Sequence, residues 1–212
     1  MCTGRVDLSY IIRGFSKGAD GLFVIGCHLN ECNYITHGNF HALSTVLLLK
    51  KIFKHIGLNP ERLMIKFMSG GEGILFTEVM NEFDKKVKEL GPLGKIEGMD
   101  ENTLKAKLEA VTRLVPYLRL VERERLRLPY KTKEEYETFF NSDEFNKLFN
   151  ELIVEKLIIS QITALLKEEP LSTSNIANAL GLTPSEVSRH INTSSRHGLV
   201  RYDVVEKRYA LA

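Results

Sequence analysis

Gly21-Leu22-Phe23-Val24-Ile25-Gly26 is a short, continuously apolar run closed by a glycine at each end. A run of this length without alternation reads as a strand buried on both faces, the pattern of a parallel sheet. Upstream, Asp7 stands as an N-cap, Leu8, Ile11, Ile12 and Phe15 recur at helical spacing, and Gly18 closes the helix. Downstream, a helix is expected from about Phe40 to His55, stopping near Gly57, with a turn at Asn59-Pro60. Leu63 to Met68 is a second apolar run. The loop Ser69-Gly70-Gly71 follows it, then a helix from Glu72 to Leu90 with Ile74, Leu75, Val79, Phe83 and Val87 on one side. Strand and helix alternate, so the class is α/β with a parallel sheet. A helix that begins at Leu8 packs on a strand before it, yet Asp7 is preceded by six residues. The N-terminal sheet is therefore incomplete. Either the chain is short relative to its relatives, or another polypeptide supplies the missing strand at the open edge.

The chain has 212 residues, 26% of them charged and 43% hydrophobic, which excludes wholesale disorder. A net charge of +2 points to no dominant polyanionic partner. No apolar run approaches the ~20 residues needed to cross a bilayer, so no membrane association is expected. Met1 is followed by polar residues, and no signal peptide is visible. Three cysteines are too few for a disulfide scaffold of this size, which makes the reducing cytoplasm the expected location.

Beyond Gly91-Pro92-Leu93-Gly94 the spacing predicts a helix over Thr103 to Val115 stopped by Pro116, and another over Tyr117 to Leu128 stopped by Pro129. The alternating Arg and Glu of the second read as a solvated face. Phe139, Phe140, Phe145, Leu148, Phe149 and Leu152 form an aromatic-rich side that reads as core or interface. Glu151 to Glu168 is an apolar helix, and a short one follows with Ile176, Ala177, Ala179 and Leu180, ending at Gly181. Thr183 caps a third helix, with Pro184 at its first position and Glu186 completing a capping box. Val187, Ile191 and Ser194 face inward on it. Leu199 to Tyr202 and Arg208 to Leu211 pair as a hairpin. This succession is a winged helix-turn-helix. The organisation expected is an α/β domain over 1–92, a helical linker region over 93–144 and a winged helix-turn-helix domain over 145–212.

The strongest chemical constellation is Cys2, Cys27 and Cys32. Cys27 ends the strand Leu22 to Ile25, and Cys2 stands where a preceding parallel strand would end. Neighbouring strands lie ~4.8 Å apart, so both cysteines reach the sheet edge where open α/β folds place ligands. Cys32 follows in the same loop. Thiolates gathered there suit zinc or an iron–sulfur cluster. A [2Fe–2S] cluster takes four ligands, and His28 is a candidate for the fourth, as are a cysteine from an upstream segment or a partner chain. The plainer reading is that these are ordinary cysteines with no metal.

Met1-Cys-Thr-Gly-Arg-Val-Asp7, Lys17-Gly-Ala-Asp-Gly21, Gly26-Cys-His-Leu-Asn-Glu-Cys32 with Tyr34, and Glu61-Arg-Leu63 stand in one order. Over about residues 1 to 92 the chain closely resembles the delta subunit of methyl-viologen-reducing hydrogenase. The resemblance implies a [2Fe–2S] cluster, with Cys2, Cys27 and Cys32 as candidate ligands or near-cluster cysteines. It implies an electron-transfer subunit that relays electrons between hydrogenase or formate dehydrogenase subunits and the flavin subunit of heterodisulfide reductase, with no turnover of its own. Such assemblies couple to flavin-based bifurcation in anaerobes. Two departures are visible: the family's usual upstream strand–helix unit with its own cysteines has no counterpart, and Asn30-Glu31 and Asn33 replace the common Gly-Asp and His.

The Ser69-Gly-Gly-Glu-Gly73 loop lacks the spacing of a phosphate-binding motif and reads as a tight turn. His37 and His41, four apart, and His55 read as surface or half-buried residues, since two ligands do not make a metal site. No Ser/His/Asp set and no catalytic carboxylate pair is discernible. The winged helix offers a competing function. Ser188, Arg189, Asn192, Ser195, Arg196 and Arg201 are suited to contacting DNA, and a redox- or metal-sensing transcription regulator would use them so. Glu186, Asp203 and Glu206 dilute the positive charge on which DNA affinity rests, which favours a protein-docking module.

Overall fold

The computed structural model describes residues 2–34 and 38–212. His37 therefore lies outside the described residues. The first helix, α1 (Leu8–Ser16), starts where the Asp7 carboxylate accepts the Ser9 amide, and it buries Leu8, Ile11, Ile12 and Phe15. β1 (Leu22–Gly26) runs parallel to β2 (Leu63–Phe67), with Leu22 opposite Leu63 and Gly26 opposite Phe67. Between them α2 (Asn39–Ile56) is buried on nearly every side, and Gly57 ends it in the left-handed conformation that glycine adopts without strain. α3 (Gly73–Leu90) covers the other face, where Phe83 stacks on Phe23 at 5.4 Å.

Two expectations change here. β1 is only partly enclosed: Val24 and Gly26 are buried, but Leu22, Phe23 and Ile25 are intermediate. A sheet of two strands leaves one edge of β1 unpaired among the described residues, so full burial is not reached. The first turn of α3 also projects beyond the sheet. Ile74 is 80% exposed, while Val79 and Phe83 are buried as expected.

Arg62 locks this unit. It is fully buried, and its guanidinium donates to both Glu97 carboxylate oxygens and to the carbonyls of Asp20, Leu90, Gly91 and Pro92. Burying the charge is tolerable because every donor direction is used.

Residues 93–144, expected as a linker, form part of the same core. α4 (Glu101–Arg125) is one helix and passes through Pro116 without stopping. Proline removes one backbone hydrogen bond, but Leu108, Val111, Leu114, Val115, Leu118 and Val121 of α4 are buried on both sides of it, and the packing outweighs the local penalty. Its alternating charges are not all solvated. Glu122 is buried and accepts a hydrogen bond from Thr45 Oγ1 at 2.7 Å. α5 (Lys133–Asn141) and α6 (Asp143–Phe149) add Tyr136, Phe140, Phe145 and Phe149 to the core, and Phe140 and Phe145 lie 4.5 Å apart. A wider π turn at Asn150–Val154 carries α6 straight into α7 (Glu155–Glu168).

α7 belongs to both halves of the molecule. Leu157 closes the first core, and Ile158 opens a second one with Ile162, Leu166, Ile176, Val187, Ile191 and Val200. Ser160 Oγ donates to the Ala110 carbonyl at 2.9 Å, fastening α7 to α4. α8 (Thr173–Leu180), α9 (Pro184–Arg196) and the hairpin of β3 (Val200–Asp203) with β4 (Arg208–Leu211) complete the winged helix-turn-helix. The Thr183–Glu186 capping box is present, and Val187, Ile191 and Ser194 point inward as the spacing predicts, joined by His190. No helix among the described residues is long and apolar enough to cross a membrane.

Candidate functional site

The three cysteines come together at the C-terminal end of β1. Thr3 Oγ1 donates to the Ile25 carbonyl at 2.7 Å, which pins the short 3-10 turn Thr3–Arg5 to the strand and carries Cys2 to its end. Cys2 Sγ then lies 3.5 Å from Cys32 Sγ. Two thiolates on one tetrahedral metal with ~2.3 Å bonds stand about 3.8 Å apart, so this pair has nearly the separation a shared ion imposes.

Asn39 holds the third cysteine. It is the first residue of α2 and is 1% exposed. Its Nδ2 donates to Cys27 Sγ at 3.0 Å and to the Cys27 carbonyl, and its Oδ1 lies 3.7 Å from Cys2 Sγ as acceptor. Gly38 permits the approach. A Cβ there would fall 2.3 Å from Cys32 Sγ and 2.2 Å from the Tyr34 carbonyl oxygen. Neither residue was marked by sequence reasoning. The available signal was a polar Asn directly after a glycine at the start of the helix.

The thiols differ in electrostatics. Burial chiefly, with the neighbouring Cys32 and Cys27, raises the Cys2 thiol above its ordinary value, although the Gly4 amide opposes this. Burial also acts against ionisation of Cys32. There the Tyr34 and Asn39 amides and the Cys2 and Cys27 side chains outweigh it, and the thiol falls below its ordinary value. The pair thus favours a thiolate at Cys32 with Cys2 as donor.

His28 does not join them. Its Nε2 is paired with Glu72 Oε2 at 2.8 Å, a contact between exposed side chains that ties the loop after β1 to the Ser69–Gly73 turn. The Ser69 amide first, then His28, holds the Glu72 carboxyl below the usual range. The Ser69–Gly73 loop is the tight turn expected, with the Glu72 amide donating to the Ser69 carbonyl. His55 packs edge-on to Phe149, and burial lowers its pKa. Among the described residues no group of three or more His, Cys, Asp or Glu side chains is spaced to hold a metal ion as it stands. The donor set suits a thiophilic metal in kind. It supplies three sulfurs where a [2Fe–2S] cluster takes four ligands.

On the winged helix, Ser188, Arg189, Asn192, Ser195 and Arg196 are all exposed along α9, and Arg201 is exposed on β3 with Nε donating to the Leu211 carbonyl. Residues 181–212 carry five Lys or Arg against three Asp or Glu, a weak positive balance. The turn between β3 and β4 presents Val204 and Val205 to solvent.

Residues 1–91 match the family described as methyl-viologen-reducing hydrogenase, delta subunit, and residues 160–202 match the family described as bacterial regulatory protein, arsR family. The chain is 45% identical over 91 residues to the D-type iron-sulfur subunit of the F420-non-reducing hydrogenase of Archaeoglobus profundus, covering 43% of this chain and 66% of that one. It is 46% identical over 91 residues to the D-type iron-sulfur subunit of the vhu F420-non-reducing hydrogenase of Methanococcus maripaludis, covering 43% of this chain and 67% of that one. It is 44% identical over 94 residues to the A-type subunit of the ferredoxin/F420H2-dependent CoB-CoM heterodisulfide reductase of Methanosarcina acetivorans, covering 44% of this chain and 12% of that one. The chain thus spans about two thirds of the hydrogenase relatives and a small part of the reductase relative. Cys2, Cys27, Cys32 and the sheet edge that gathers them all lie within the matched span, so the chain belongs to the methyl-viologen-reducing hydrogenase delta subunit family and carries an ArsR-type winged helix at its C-terminal end.

Proposed function

We propose that the chain is an iron–sulfur electron-transfer subunit. Cys2, Cys27 and Cys32 would hold a [2Fe–2S] cluster, with the fourth ligand coming from outside these three side chains. When bound, the cluster supplies one-electron oxidation and reduction. The observation that carries this reading is the 3.5 Å Cys2–Cys32 separation with Cys27 held at the same locus by Asn39. The chain's own residues orient the sulfurs, and Asn39 and the Gly4 amide offer hydrogen bonds that tune potential. Relatives named as hydrogenase iron-sulfur and heterodisulfide reductase subunits support partners of those kinds. The specific relay proposed runs between a hydrogenase or formate dehydrogenase module and the flavin subunit of a heterodisulfide reductase, in the cytoplasm of an anaerobe. A strand from another chain, or from further sequence, would pair with the open edge of β1. The test is anaerobic purification, alone and with those partners, followed by iron, sulfide and visible absorption. Iron, sulfide and a charge-transfer band are expected. A colourless, iron-free protein in both states defeats the reading.

A second role rests on the exposed polar face of α9 within the arsR-type match. In it the thiol domain senses redox state or metal, and Ser188, Arg189, Asn192, Arg196 and Arg201 contact DNA. Salt-dependent binding to a specific duplex near its own genes is the expected result, and no shift of any such duplex at low salt rejects it.

A further inference from the structure

We propose that Cys32 and Cys2 form a thiol–disulfide exchange pair for a low-molecular-weight, negatively charged disulfide, with Cys32 as the attacking sulfur and Cys2 as the resolving one. The exchange uses thiols proposed above as cluster ligands but does not require the cluster. Two observations carry it. The first is the 3.5 Å Sγ–Sγ distance, which a small side-chain movement closes to a bond. The second is a cleft of about 430 Å³ between the start of α2 and the Leu126–Lys131 segment, with Cys32 in its wall beside Tyr34, Phe40, Tyr136, Arg127 and Lys131. That volume suits a small molecule. Cys2 and Cys27 are not among the residues lining the cleft, and no carboxylate is among those described. The charged side chains of its described lining, Arg127 and Lys131, are both basic. Ser44, also in the lining, is buried, and among the described residues its Oγ has no hydrogen-bond partner, an unused polar group for a guest to meet.

The chemistry balances in two exchanges. The Cys32 thiolate attacks one sulfur of the incoming disulfide RS–SR, the S–S bond breaks, and the first RS⁻ leaves and takes up the proton. The Cys2 thiol, losing its proton, then attacks Cys32 Sγ, the mixed disulfide breaks, and the second RSH departs. Two protein thiols give up two electrons and two protons, and one small disulfide becomes two thiols. The product removes two of the three thiolates at the locus, so the internal disulfide and cluster binding exclude each other. Cys27 stands outside the exchange because Asn39 Nδ2 engages its sulfur at 3.0 Å and it lines a different, open groove with Thr3 and Met68.

The test uses the reduced, iron-stripped full chain and oxidised glutathione, with remaining thiols alkylated and peptides mapped by mass. A Cys2–Cys32 cross-link is expected, with two equivalents of glutathione released and Cys27 recovered as alkylated thiol. Cys2→Ser should trap glutathione on Cys32. Replacing the probe with the cationic disulfide cystamine should slow the reaction at least tenfold. A cross-link through Cys27, no cross-link, or adducts spread over all three thiols overturns the pairing, and equal rates for the two probes overturn the charge assignment. The wild-type map stands alone if the variant fails to fold. A second arm repeats the reaction on iron-reconstituted chain. Iron that protects Cys2 and Cys32 supports the mutual exclusion, and bound iron with unchanged cross-linking overturns it. Failure to load iron both alone and with the proposed partner subunits rejects the cluster reading while leaving the first arm intact.

Discussion

Asn39 Nδ2 stands 3.0 Å from Cys27 Sγ, and the same amide reaches Cys2 through its oxygen, so one buried side chain links two thiols that are 25 residues apart in sequence. Asn39→Leu keeps the volume and removes both links, leaving the Cys27 carbonyl short of a donor. A loss of about 1–3 kcal/mol follows from an unsatisfied buried group. Thermal denaturation should show a lower Tm, and thiol titration should show Cys27 reacting faster than in the parent chain.

Gly38 is a sharper probe of the same locus. In Gly38→Ala the methyl group enters the space held by Cys32 Sγ and the Tyr34 carbonyl. Overpacking of this kind costs roughly 1–3 kcal/mol. Iron content after anaerobic reconstitution should fall well below that of the parent, because Cys32 is displaced from Cys2. Parent-level iron would show that the Cys2–Cys32 approach is not needed for loading.

Arg62 predicts a purely structural effect. Arg62→Ala leaves Glu97 buried without its partner and four carbonyls without a donor. Breaking a buried pair costs about 3–5 kcal/mol. Denaturant titration should show the first domain destabilised by that order, and amide exchange should accelerate first around residues 90–99.

Glu122 sets a pH dependence. Burial drives its pKa up to about 7, while the Thr45 hydroxyl works in the opposite direction. A carboxyl raised in the folded state binds more protons there than in the unfolded chain. Its contribution is neutral below about pH 4.5, becomes increasingly unfavourable as pH rises towards about 7, and is constant above that. Glu122→Gln should therefore stabilise the protein at pH 8, by about 1–3 kcal/mol, and have little effect at pH 4.5. Asp7 has the opposite sign. Arg119 chiefly holds its carboxyl down at about 2, so stability from the Asp7–Arg119 pair is present at neutral pH and is lost as pH falls from the ordinary Asp range towards about 2. Urea midpoints of the parent and of Glu122→Gln across pH 4 to 8 check the first, and Asp7→Asn across pH 2 to 5 checks the second.

Much of the order of elements was readable because the signals are local. The apolar run ending at Gly26, the Asp7 cap and the Thr183–Glu186 capping box each act within a few residues, and each stands where its pattern puts it. Pro116 misled because its penalty is local, whereas the burial that overrides it comes from α1 and α7. Glu122 misled for the same reason: alternating charge describes one helix, and Thr45 lies on another.

The amino-acid sequence by itself determined the alternation of strands and helices, the winged helix and the nearness of Cys27 to Cys32, since these follow from periodicity, caps and short spacing. Topology and spacing already brought Cys2, Cys27 and Cys32 to one sheet edge, but only the tertiary structure decided that Cys2 and Cys32 stand 3.5 Å apart, that Asn39 reaches Cys27, that His28 turns to Glu72 and that α7 serves two cores. Those outcomes depend on how separate elements pack. A side chain's partner across 30 or 44 positions is set by the summed burial of the elements between them, which no local pattern records.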